Sequence, residues 1–206
     1  MRRRRADPQQ GAGVAADLDA PDAPDAPDAP DADPEQVART ICLRQLTAAP
    51  RTRAQLAQAL ARRRVPAEAA ERVLDRLVEV GLVDDAAYAE AWVRSRHAGR
   101  GLARRALSAE LTARGVDQAL VTHAVGRLDP REERETARRL VARRLASTRG
   151  LDPRVRVGRL AGMLARKGYP AGLAVAVARD ALAAEGAHLY AAEDADLYDG
   201  DTDDEA

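Results

Sequence analysis

Phenylalanine is absent from this chain of 206 residues, and the aromatics that remain are Trp92 and four tyrosines. A core without Phe has to be filled by Leu, Val and Ala, which suit helices better than strands, so the expected class is all-α. A single cysteine, Cys42, excludes an internal disulfide and a cysteine-rich zinc site, and His97, His123 and His188 are too scattered to supply ligand spacing. The longest stretch without charge, 168–178, holds eleven residues and a proline, against the roughly 20 apolar residues of a membrane-spanning helix. No membrane contact is expected. Arg2 to Arg5 are followed by Ala-Asp-Pro-Gln-Gln where a targeting peptide needs an apolar stretch, so the expected setting is a reducing cytoplasm. Phosphate loops of the GxxxxGKS type, HExxH helices and GxSxG elbows are missing too. These absences point away from an enzyme, a cofactor, a metal centre or a small-molecule substrate.

What is present is charge, unevenly spread. Lys plus Arg and Asp plus Glu both total 33, yet residues 1–34 carry four Arg against eight Asp and residues 191–206 carry eight acids and no base, so 35–190 holds a net +12. The Asp-Ala-Pro triplets of 19–34 lack apolar surface to bury and repel one another, and the acidic end follows the same logic. Both ends, 1–34 and 191–206, are therefore expected to be disordered acidic tails.

Between them, helix punctuation is legible. Thr52 with Gln55 forms a capping box, and Asp129-Pro130 and Asp152-Pro153 place a cap before a first-turn proline. Gly81, Gly115, Gly150, Gly168 and Gly186 stand where helices should stop. Nine helices follow, near 35–48, 53–64, 66–80, 85–98, 102–114, 117–128, 130–148, 153–167 and 170–185. The chain also resembles itself: Leu56, Leu60 and Val65 recur as Leu107, Leu111 and Val116, then as Leu160, Leu164 and Tyr169, at offsets of 51 and 53. Three tandem three-helix repeats result, at 35–82, 83–128 and 129–190, each too small to bury much surface alone and so joined into an elongated, curved body.

Asp84-Asp85 is the one carboxylate pair that tempts a chemical reading, but its place after a glycine and before a helix is explained by capping. The cations carry more. All but Lys167 are Arg, clustered at 62–64, at 94, 96, 100, 104 and 105, at 138, 139, 143 and 144, and at 154, 156 and 159. Some clusters pair locally, as Glu135 four residues before Arg139 suggests. A +12 body without a catalytic set fits a polyanionic partner. Few Asn or Gln accompany the arginines, so backbone contact fits better than base reading.

From Gly81-Leu82-Val83-Asp84-Asp85-Ala86-Ala87-Tyr88 through Trp92-Val93-Arg94, then Arg100-Gly101-Leu102-Ala103-Arg104-Arg105-Ala106-Leu107 to Glu110-Leu111-Thr112-Ala113-Arg114-Gly115-Val116, the chain resembles the RecX family. The likeness extends loosely over 40–185 and covers neither tail. It implies an all-α regulator without enzymatic activity. Such a protein binds the recombinase RecA and its filament on single-stranded DNA and limits ATP hydrolysis, strand exchange and filament growth, in DNA repair, recombination and the SOS response. On that reading Asp84, Asp85, Tyr88, Trp92, Gly101, Leu107, Leu111 and Gly115 hold the module. Arg96, Arg100, Arg104, Arg105, Arg62, Arg63, Arg143 and Arg144 are the candidate partner contacts, with weak direct DNA binding beside them. A helix-turn-helix-like DNA-binding protein acting without RecA and a helical scaffold for another protein are the competing expectations.

Overall fold

A computed structural model describes residues 33–198, with side chains described through Gly186. The arm at 1–32 and the acidic residues 199–206 lie outside the described residues. Within them the elements are helical throughout: α1 Pro34–Ala48, α2 Arg53–Arg62, α3 Ala67–Glu79, α4 Asp85–Arg100, α5 Arg104–Ala113, α6 Gln118–Gly126, α7 Pro130–Leu145, α8 Pro153–Arg166 and α9 Ala171–Tyr198, with a short 3-10 turn at Ala146–Thr148.

The helix starts follow the caps. The Thr52 hydroxyl accepts from Gln55 N–H at 3.1 Å while the Gln55 side chain accepts from Thr52 N–H, also at 3.1 Å. Asp129 and Asp152 each accept, at 2.8 Å, from the backbone two residues on, with proline between. One expected stop fails: α9 runs through Gly186 to Tyr198, eight residues into the segment assigned to the acidic tail. Gly186 keeps a negative φ, unlike the other four glycines named as stops, and the alanines around it offset its cost of roughly 1 kcal/mol relative to Ala.

Three separate cores line up with the three helix triplets. The first gathers Ile41, Cys42, Leu56, Leu60, Leu74 and Leu77 from α1 to α3, and it also takes in Val83, beyond the expected boundary. The second gathers Tyr88, Trp92, Leu107, Leu111, Val121 and Val125. The third is built on Val141, Leu160, Leu164, Tyr169 and Val177, and it borrows Ala103 from the repeat before it. The recurring Leu pairs form the centre of each core, all at 2 % exposure or less, and each buried Leu contributes about 2 kcal/mol. Cys42 sits in the first core, where burial pushes its thiol up to about 11 and leaves it an inert packing group.

Candidate interaction surface

The repeats are joined by one seat used twice. At the first joint, the start of α2 docks on the turn between α5 and α6: the Thr52 hydroxyl donates to Arg114 O at 2.7 Å, and Arg53 N–H donates to Asp85 at 2.9 Å. At the second, the start of α5 docks on the turn between α8 and α9: Ala103 N–H donates to Lys167 O at 2.9 Å, and Arg104 N–H donates to Glu133 at 3.0 Å. A glycine in the left-handed region closes each seat, Gly115 at φ 73° against Ala54 and Gly168 at φ 89° against Ala106. A Cβ at either would overlap its neighbour, so only glycine lets the backbones meet.

The two acids of Asp84-Asp85 divide their work between repeats. Asp84 caps its own helix, accepting from Ala87 N–H at 2.9 Å, whereas Asp85 reaches back to cap α2 of the preceding repeat. Burial raises the Asp85 carboxyl above its ordinary value, and the Arg53 hydrogen bond opposes that shift only in part.

Side-chain filling differs between the joints. Beside the first, Trp92 is surrounded by its own repeat: Tyr88 stacks on it with centroids 5.7 Å apart, and the guanidinium groups of Arg96 and Arg114 lie 4.1 and 3.7 Å from its ring centroid. Its indole N–H donates to Glu110 at 2.8 Å. At the second joint, polar groups replace the indole. His97 Nδ1 donates to Leu102 O at 2.8 Å, the Thr136 hydroxyl meets His97 Nε2 at 3.0 Å, and Arg139 donates to Thr136 at 2.9 Å. Tyr169 donates to Gly101 O at 3.1 Å, and the Lys167 ammonium donates to Arg100 O at 2.7 Å.

These contacts sort the candidate arginines. Arg96, with an 11 % exposed side chain, stacks on Trp92 and lies 3.8 Å from Glu110, and Arg104 binds Leu128 O and Glu133; both stabilise the body. Arg105, Arg143 and Arg144 are exposed on α5 and α7, and Arg62 and Arg63 sit at the end of α2 in the first repeat. Arg100 and Arg143, far apart in sequence, meet at one cleft of about 330 Å³ at the second joint, with Arg139 and Lys167. Glu135 pairs with Arg138 at 3.5 Å, and the Arg139 guanidinium turns to Thr136. Lys167 was not among the candidate contacts, although it holds the repeat position of Arg114, one residue before the seat glycine.

The matches to known families cover the same three units: RecX, first three-helix domain over residues 38–77, second three-helix domain over 84–125 and third three-helix domain over 132–177. A Regulatory protein RecX from Streptomyces coelicolor is 62% identical over 154 residues, 75% of this chain and 82% of that protein. The chain belongs to the RecX family. Regulatory protein RecX of Thermobifida fusca is 64% identical over 152 residues, 74% of this chain and 82% of that one, and that of Mycobacterium marinum is 50% identical over 152 residues, 73% and 88%. Among solved structures, RecX from Lactobacillus salivarius superposes with a TM-score of 0.67 at 16% identity, over 71% of this chain and 96% of that one, which shows the shared fold. This RecX-family chain is thus a regulatory protein of three three-helix domains.

Proposed function

We propose that this RecX-family chain binds RecA and its filament on single-stranded DNA, and that it restrains ATP hydrolysis, strand exchange and filament growth. The observation that carries the reading is the high identity to proteins called Regulatory protein RecX over three quarters of the chain, spanning all three repeats. The physical arrangement supports it. Three helical units in series, with a net +12 over 35–190, present cations along an extended surface, the form suited to a long anionic assembly. A protein lying across neighbouring filament subunits restrains their relative motion and blocks addition without any chemistry of its own. Arg62, Arg63, Arg105 and Arg144 are the exposed or half-exposed contacts assigned to the recombinase, and Arg96 and Arg104 keep the repeats in place.

The test is capture of purified RecA by the full chain, with and without single-stranded DNA and nucleotide, together with the filament's ATPase rate. Retention that increases with DNA and nucleotide, with ATPase inhibited, is the expected result. A chain that binds neither RecA nor the coated strand and leaves the ATPase unchanged would overturn the proposal.

A further inference from the structure

We infer that the weak direct DNA contact expected of this chain is made at the cleft of the second joint, which seats a phosphate of a single-stranded backbone between residues of two repeats. The cleft is formed by the end of α4, the outer turns of α7 and the turn after α8, and four cations line it: Arg100, Arg139, Arg143 and Lys167. No Asp or Glu lines it. That sets it apart from three other clefts among the described residues, where Arg72 pairs with Glu35, Arg127 with Glu90 and Arg149 with Glu185.

Two of the four are held in place. The Lys167 ammonium is tied to Arg100 O at 2.7 Å, and Arg139 is tied through Thr136 to His97, so neither group has to be ordered when a ligand arrives. The other two, Arg100 and Arg143, are exposed and have no side-chain partner among the described residues. Gathering like charges in one concavity is unfavourable unless an anion completes it. Guanidinium forks match phosphate oxygens in pairs, and here two exposed forks share one cleft with two anchored cations, which offers a tetrahedral anion partners from both repeats. A single phosphodiester strand is flexible enough to place one phosphate into such a recess. The first joint offers nothing comparable, because Trp92, Arg96 and Arg114 fill that region with stacked rings and guanidinium groups.

The inference goes beyond the recombinase reading and is tested without the recombinase. A fluorescently labelled oligothymidylate is titrated into the full chain across a range of sodium chloride concentrations, for the native protein, for Arg100→Ala with Arg143→Ala, and for Arg154→Ala with Arg159→Ala on exposed α8 positions away from the cleft. Circular dichroism and thermal melting confirm that all three fold alike, since none of the changed side chains holds a joint. The cleft variant should bind about tenfold more weakly and lose about 0.7 from the salt slope for each phosphate contact removed, with the α8 variant close to native. Equal losses in both variants would assign the binding to the general positive field, and no loss in the cleft variant would remove the site; either overturns the inference. So would binding of inorganic phosphate that depends on Arg100 and Arg143 while oligonucleotide affinity does not, or stronger cleft-dependent binding of duplex. If the native chain leaves the RecA ATPase untouched yet shows the cleft-dependent DNA binding, the recombinase proposal fails and this one stands.

Discussion

The two joints share a backbone seat and differ in what fills the space beside it. In both, an acid at the start of one repeat caps the second helix of the repeat before it, Asp85 on Arg53 N–H and Glu133 on Arg104 N–H, and a left-handed glycine lets the chains touch. Beside the first joint stands an indole that carries the Tyr88 ring and two guanidinium groups, one of them from Arg114, whose carbonyl receives Thr52. The second is spanned by hydrogen bonds through His97, Thr136, Lys167 and Tyr169 and leaves an open basic cleft. The difference teaches that the repeat specifies how neighbours dock, while the residues beside each seat are free to serve either stability or contact.

Replacing Trp92 by Ala gives the largest effect. It empties the second core and strips both stacked arginines of their partner, for an expected loss of about 4 kcal/mol in chemical unfolding. Tyr169→Phe, which removes only the hydrogen bond to Gly101 O, should cost about 1 kcal/mol. A comparable loss from both changes would show that the two joints are equally packed and would erase the contrast.

The glycines give the next effect and separate the joints differently. Gly115→Ala and Gly168→Ala should each cost about 3 kcal/mol through overlap and a left-handed backbone. A Cβ at Gly115 meets the Ala54 side chain, so adding Ala54→Gly should recover part of the loss. A Cβ at Gly168 meets the backbone N of Ala106, so Ala106→Gly should recover much less. Thermal melting of the two double variants reads the difference, and equal rescue would mean the seats are not built as described.

The smallest effect concerns the unit with no neighbour docked on its turn. Arg64 holds the repeat position of Gly115 and takes the same left-handed conformation, φ 56°. No preceding repeat among the described residues lies against it, so a side chain is sterically allowed there despite the strain. Arg64→Gly should therefore stabilise the chain by about 0.5 kcal/mol, and a destabilisation measured by urea titration would show that the Arg64 side chain supports the first repeat.

Much of this was legible from residues alone. Caps and glycines located the helix starts and most of the ends because those signals act within one turn, and the Leu pairs at offsets of 51 and 53 revealed the repeat because each pair is the centre of its own core. Gly186 misled because a glycine stops a helix only where the backbone turns left-handed, and nothing near it forces that turn. Asp85 was read as a local cap because its target, Arg53 N–H, lies 32 residues away. Arg96 and Arg104 were grouped with Arg100 and Arg105 because sequence spacing does not tell which guanidinium turns inward.

Composition, capping chemistry and periodicity by themselves determined that this chain is three small helical units carrying a cationic surplus between acidic ends, since each of those properties is a sum or a short-range interaction. Only the tertiary structure decided which arginines stack or pair inside the body and which stay available. That choice depends on what the neighbouring repeat presents, and Arg100 and Arg143 come to share a cleft only once the end of α4 meets α7 across a joint.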